Sequence, residues 1–223
     1  VLNSLNQEMK RASKEKRFEE AGKIRDKIFA LQRVMAHAHI IENNPKSGRD
    51  RVSAALLLEK IIRAKKPIQK IECYDISNIQ GKSATGSMVV FINGKADKNQ
   101  YRKFKIRTKN KPDDIAMLKE ILQRRFLHKE WKYPDVILID GGKAQLNAAL
   151  EIKNYFKNLK IKNLKIISIA KGKQELWIEN KKNSIPLKSL PQEIYNLIIG
   201  LDNEAHRFAI TYHRKLRSRK LLN

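Results

Sequence analysis

Two apolar stripes with three- and four-residue spacing open the chain: Leu5, Met9 and Ala12, then Phe18, Ala21, Ile24, Ile28 and Leu31. That spacing is helical. The polar break SKEKRF between them suits a tight turn, so residues 1–42 are expected to hold a helical hairpin. It is too short to bury both stripes against itself, and a partner or the following domain is expected to cover it. Asn, Pro, Ser and Gly cluster in NNPKSGRD (43–50), which predicts a loop. A helix over 50–63 completes a connecting segment, 43–69. From residue 70 the period changes. KIECYDIS (70–77), SMVVFING (87–94) and QYRKFKI (100–106) predict three strands, with Asn93-Gly94 as a hairpin turn. PDDIAMLKEILQRRF (112–126) predicts a helix with acids in its first turn and Arg124 and Arg125 in its last, both suited to the macrodipole. DVILID (135–140) is a continuous apolar run, the mark of a central parallel strand. A helix over 144–156, a buried strand over 164–170, a small hairpin from ELWIEN and SIPL, and a late helix broken or bent near Gly200 follow.

The order is three strands, a helix, a strand, a helix, a strand and a late helix. It predicts an α/β domain over 70–223: a mixed five-strand sheet flanked by helices, in the order of a ribonuclease H-like nuclease. On its own, that order says little about function.

Charge narrows the partners. Against 23 Asp and Glu stand 48 Lys and Arg, a formal charge of +25, which favours nucleic acid; an AT-rich genome, favouring Lys codons, is the plain alternative. A single cysteine, Cys73, excludes an internal disulfide and a cysteine-based zinc site. No apolar run approaches the roughly 18 residues of a membrane span, and no signal-peptide core follows the N-terminus, so a cytoplasmic protein is expected.

Asp75 and Asp140 lie at or near the C-terminal ends of two apolar strands, where open α/β sheets gather ligands. On parallel neighbours about 4.8 Å apart, both carboxylates could reach one divalent cation. Alone, either would be expected to cap a helix or turn; the pair points to Mg²⁺ or Mn²⁺ and phosphoryl chemistry. Asp113 and Asp114 open a helix, and Asp114 is a further candidate for the same cluster. His206, in DNEAHRFAI, is either a boundary residue or a metal ligand or general base, with Asp202 or Glu204 expected to orient its ring. The basic run TYHRKLRSRK suggests a phosphate-contacting tail. Arg102, Lys143, Lys171, Arg207, Arg214 and Lys215 are the candidate DNA contacts. GKSATGS (81–87) fails as a phosphate loop, because Ile76 stands where the first glycine is needed.

Taken together, ECYDIS, PDD-IAM, LIDGGKAQLNAAL and NEAHRFAITYHRK resemble the C-terminal nuclease half of the UvrC family, and RFEEAGKIRDKI resembles the UVR motif through which that family binds UvrB. The resemblance implies a ribonuclease H-like, metal-dependent endonuclease of nucleotide excision repair that cuts 5′ to a lesion. It implies a triad of Asp75, Asp140 and His206, with Asp114 as a further acid. Asn78 stands where the family often has histidine, and GGKAQ where it often has GGKGQ. The family's GIY-YIG region and helix-hairpin-helix are absent from these residues, so a fragment or a short homologue is expected. The competing expectations are a non-catalytic adaptor that binds DNA and UvrB, and an RNA-directed ribonuclease H.

Overall fold

A computed structural model describes residues 2–25, 27–28, 31, 48–77, 85–107, 113–159 and 161–221. The chain divides into two compact units, 1–46 and 47–223.

In the first unit, α1 (Leu2–Lys14) is followed by α2, helical over 18–25 and again at 27, 28 and 31. Lys16 adopts a left-handed φ of 60°, and the Lys16 and Arg17 amides donate back to Ser13 O and Ala12 O at 3.1 and 2.9 Å. This closes α1 and turns the chain within SKEKRF. The two stripes bury each other only in part. Ala12, Ile24 and Ile28 are buried, with Leu5, Met9 and Ala21 packed on them. Phe18 lies off this seam and is 69% exposed.

The second unit opens with α3 (Gly48–Ile62), which packs on the last helix, α6 (Gln192–Leu221). Its strands are β1 (Lys70–Ser77), β2 (Thr85–Ile92), β3 (Lys95–Ala96), β4 (Arg102–Lys105), β5 (Val136–Asp140), β6 (Lys165–Ala170), β7 (Glu175–Ile178) and β8 (Ile185–Pro186). They form one sheet in the order β3-β2-β1-β5-β6-β7-β8, with β4 also on β2. The expected five strands are there: antiparallel β1, β2 and β4, with β5 and β6 parallel to β1. The sheet is larger than expected, at eight strands, because the hairpin of ELWIEN and SIPL adds β7 and β8 and the turn after β2 adds the short β3. β7 pairs antiparallel with the open edge of β6 and buries Leu176 and Ile178. Asn93 and Gly94, with φ of 49° and 74°, make the tight turn from β2 to β3. The third strand is shorter than QYRKFKI. Asp97 accepts from the Asn99 amide and starts a 3-10 turn at Lys98–Gln100, leaving Arg102–Lys105 to pair.

Strand parity assigns the two faces. Glu72 and Tyr74 point toward α4 (Asp114–Leu127), which packs beside α5 (Lys143–Tyr155). Cys73 and Asp75 point toward α6. Arg125, in the last turn of α4, is 0% exposed, as is Glu72. Its guanidinium grips both Glu72 oxygens at 2.8–3.2 Å and donates to Lys132 O at 3.0 Å. Lys70 Nζ, 3.3 Å from Glu72 Oε1, also donates to Lys132 O, at 2.7 Å. One acid in β1 thus ties the end of α4 and the following loop to the sheet. The late helix runs unbroken through Gly200. Glycine inside a helix costs about 1 kcal/mol, which is small beside the burial of Ile194, Ile198, Leu201, Ala205 and Ala209 on the sheet and α3. Among the described residues no helix is long and apolar enough to cross a membrane.

Candidate active site

The site forms where three parallel strands end under α6. The β1–β5 ladder runs to Tyr74 opposite Ile139, so Asp75 and Asp140 come next on their strands, level with each other and on the same face. β6 continues the alignment. Ile169 pairs with Asp140, and Lys171, two residues on, emerges on that face in the 3-10 turn after the strand. Asp202 and His206 stand one turn apart on α6. The helix is fastened above them by Ser87, whose hydroxyl donates to Ala205 O at 3.1 Å and which pairs with Asp75 across β1–β2.

The turn after Asp140 has a local cause. Gly141 sits at φ +155°, where a Cβ would fall 2.6–2.8 Å from the Gln145 side chain. Gln145 needs that space because its Oε1 accepts from Gly142 N at 2.9 Å, capping the start of α5. Gly142 O in turn accepts from Ser168 Oγ at 3.2 Å. IDGGKAQ therefore ends a strand and starts a helix in two residues, holding Asp140 at the rim.

Asp75 Oδ2 meets His206 Nδ1 at 3.2 Å. Lys171 Nζ lies 2.9 Å from Asp140 Oδ2 and 3.1 Å from Asp202 Oδ1. Asp202 is buried, and although its Oδ1 is in ion-pair reach of Lys171, no donor among the described residues is aligned to hydrogen-bond it. Burial pushes the Asp202 carboxyl up to about 6, against the pull of Lys171. It also raises Asp140, again opposed by Lys171. Burial works against the charge of Lys171, but Asp202 and Asp140 outweigh it and hold that ammonium above its ordinary range. The buried Cys73 thiol beneath is pushed up by burial and then by Asp202, Asp140 and Asp75. Three acids, one lysine and one histidine thus share one electrostatic neighbourhood.

His206 touches Asp75, and Asp140 stands level with Asp75 on the neighbouring strand. Asp114 is not joined to them by any contact among the described residues: it is exposed in the first turn of α4, whose cap is Asp113. The ring of His206 faces Asp75 rather than the two acids expected to orient it. Asp202 turns to Lys171, and Glu204 accepts from Tyr101 Oη at 3.0 Å and pairs with Arg207 at 2.7 Å. Lys171 belongs inside the site, between two carboxylates. Lys143 lies over the Trp177 ring at 5.2 Å, and Arg102 over Trp131 at 4.9 Å. Arg214 and Lys215 lie on the last turns of α6, and their side chains fall outside the described residues, as do Asn78 and most of GKSATGS. The Lys171–Asp202 pair escaped sequence reasoning. Its one signal is that SIAKG places a lysine at the same kind of strand end as LIDGG.

Carboxylates and an imidazole form a donor set that Mg²⁺ or Mn²⁺ accepts, and beside it the buried Oδ1 of Asp202 has no hydrogen bond among the described residues. Among the described residues no three acids or histidines converge closely enough to hold a metal ion, and Lys171 pairs with Asp140 and Asp202. By donor chemistry, oxygen and imidazole nitrogen suit a hard divalent cation.

Comparison with known proteins gives a consistent family. A family model described as the UvrC RNAse H endonuclease domain matches residues 59–210, and one described as the UvrB/uvrC motif matches residues 1–34. UvrABC system protein C of Fusobacterium nucleatum subsp. nucleatum is 44% identical over 168 residues, covering 74% of this chain and 28% of the relative. UvrABC system protein C of Methanosphaera stadtmanae is 39% identical over 203 residues, covering 86% and 32%. The chain therefore spans about a third of the length of these relatives or less. Among solved structures, Ciona intestinalis Endonuclease V in complex with a 24mer DNA covers 81% of this chain and 68% of its own, at 18% identity and a TM-score of 0.36. That likeness is too distant to bear on chemistry.

Proposed function

The chain belongs to the UvrC family, and on that premise we propose that it is a metal-dependent DNA endonuclease of nucleotide excision repair, cutting the phosphodiester 5′ to a lesion within a UvrB–DNA complex. The observation that carries the chemistry is the level placement of Asp75 and Asp140 on paired parallel strands, with His206 against Asp75. A Mg²⁺ or Mn²⁺ held by Asp75, Asp140 and His206 would neutralise phosphate charge and acidify a water. Asp75 orients the His206 ring, and the rim position of His206, with its side chain 30% exposed, suits it to meet substrate. The net charge of +25 supplies sequence-independent attraction to the DNA backbone.

The test is incision of a lesion duplex loaded with UvrB, in Mg²⁺ or Mn²⁺. Asp75→Asn and Asp140→Asn should each lower the rate at least 100-fold, beyond the roughly 10–100-fold that losing a mere outer-shell partner costs, while leaving DNA binding within a factor of about three. Full incision by either variant would sink the site and favour the adaptor. Preference for an RNA–DNA hybrid would favour a ribonuclease H. UvrB binding is assigned to the hairpin, where Phe18 stands exposed off the buried seam. Phe18→Asp should weaken UvrB capture without moving the thermal midpoint; unchanged capture would remove Phe18 from that surface.

A further inference from the structure

The nuclease reading leaves two members of the site without a role, and they are the two most tightly engaged. Lys171 is the single ammonium between Asp140 and Asp202, at 2.9 and 3.1 Å. Asp202 has a side chain only 3% exposed, so its charge cannot be screened by water. No other cation pairs with either acid among the described residues. Asp140 is shared: it is held by Lys171 and is also a donor in the proposed metal site.

We propose that Lys171 is a resident counter-ion that competes with the divalent cation for Asp140, and that Asp202 is a positioning residue whose task is to draw Lys171 aside when the cation binds. The proposal rests on the metal-nuclease reading and adds the exchange to it. Two unit charges a few ångströms apart interact far more strongly in a partly buried site than in water. An ammonium on Asp140 therefore opposes a divalent ion at the same oxygens. Asp202 lowers that opposition, because it offers Lys171 a second carboxylate one turn from His206, on a rigid helix. The ammonium then stays at the edge of the site, close to where a phosphate must lie, rather than leaving for solvent. A carboxylate that merely ligated the metal would not need the lysine, and a merely structural salt bridge would not couple to metal affinity.

The two roles predict opposite signs. Mn²⁺ binding to the intact chain, read from the electron paramagnetic resonance of free Mn²⁺, separates them without any cleavage assay. Lys171→Gln removes the competing charge but keeps a hydrogen-bonding group, and should tighten Mn²⁺ binding roughly tenfold. Asp202→Asn leaves Lys171 to Asp140 alone and should weaken it roughly tenfold. In the Lys171→Gln background, Asp202→Asn should change the affinity by less than about twofold. As a second measurement, Lys171→Gln should melt lower than wild type in chelator and gain more from added Mn²⁺. Weaker or unchanged binding in Lys171→Gln overturns the proposal. So does an Asp202→Asn effect that persists undiminished without the lysine, which would make Asp202 a direct ligand. Asp75→Ala separates the two readings: Mn²⁺ binding that survives it overturns the metal site itself, and the exchange with it.

Discussion

Replacing Glu72 with glutamine and Arg125 with methionine breaks the same buried ion pair from opposite sides, and the structure says which break costs more. Glu72, Lys70 and Arg125 are 0, 2 and 0% exposed, so one carboxylate serves two cations. Arg125→Met leaves Glu72 still neutralised by Lys70 at 3.3 Å and hydrogen-bonded by Tyr74 Oη at 2.8 Å. Its loss is the guanidinium's bonds to Glu72 and to Lys132 O. Glu72→Gln leaves two buried cations and no anion. Removing one partner of a buried pair costs about 3–5 kcal/mol. Charge balance places Arg125→Met near the lower figure and Glu72→Gln at or above the upper one. At about 2–4 °C per kcal/mol for a domain of this size, the midpoints should fall by roughly 6–12 °C and 10–20 °C. Thermal unfolding followed by far-ultraviolet circular dichroism, in chelator at pH 7, reads both. The pH dependence adds a second handle. Burial holds Lys70 below its ordinary pKa. A base depressed by folding adds stability above its folded pKa, as the folded state sheds the proton first. Glu72→Gln should therefore recover stability as the pH is raised from 7 toward 10, by more than wild type does. An Arg125→Met midpoint as low as that of Glu72→Gln would refute the charge count, and with it the claim that Lys70 shares the carboxylate.

Other perturbations follow from single contacts. A Cβ on Gly86 would lie 2.1 Å from Ile121 Cδ1, and Ile121 is fully buried, so Gly86→Ala should cost about 1–3 kcal/mol by urea unfolding. Ile121→Val in the same chain should restore part of that, and no rescue would mean the strand, not the side chain, resists. Folding raises the Asp202 carboxyl to about 6, so its protonated form favours the native state below the unfolded value, near 4, and that favour is lost as pH climbs through 6. In chelator, the stability of Asp202→Asn relative to wild type should therefore rise between pH 4 and 6; a flat difference would argue that Lys171 neutralises Asp202 fully. For DNA binding, log affinity should fall linearly with log salt, and a flat dependence would count against phosphate-led binding.

By itself, the sequence determined where strands and helices lie, because alternating and three-to-four spacing report which positions are buried. It placed acids at the ends of KIECYDIS and VILID, and it carried enough of the family's motifs, in order, to name the fold. It also misjudged particular residues. Gly200 looked like a break or bend, yet the helix runs through it. Glu204 and Asp202 looked like the orienting partners of His206. Periodicity records that a residue is covered, not what covers it, and each of these depends on a partner far along the chain. Only the tertiary structure decided that β1 and β5 run in register, so that Asp75 stands level with Asp140. Only the placement of α6 over three strand ends put Asp202 against Lys171. A salt bridge between residues 171 and 202 leaves no local trace, because its distance is set by how a helix lies on a sheet.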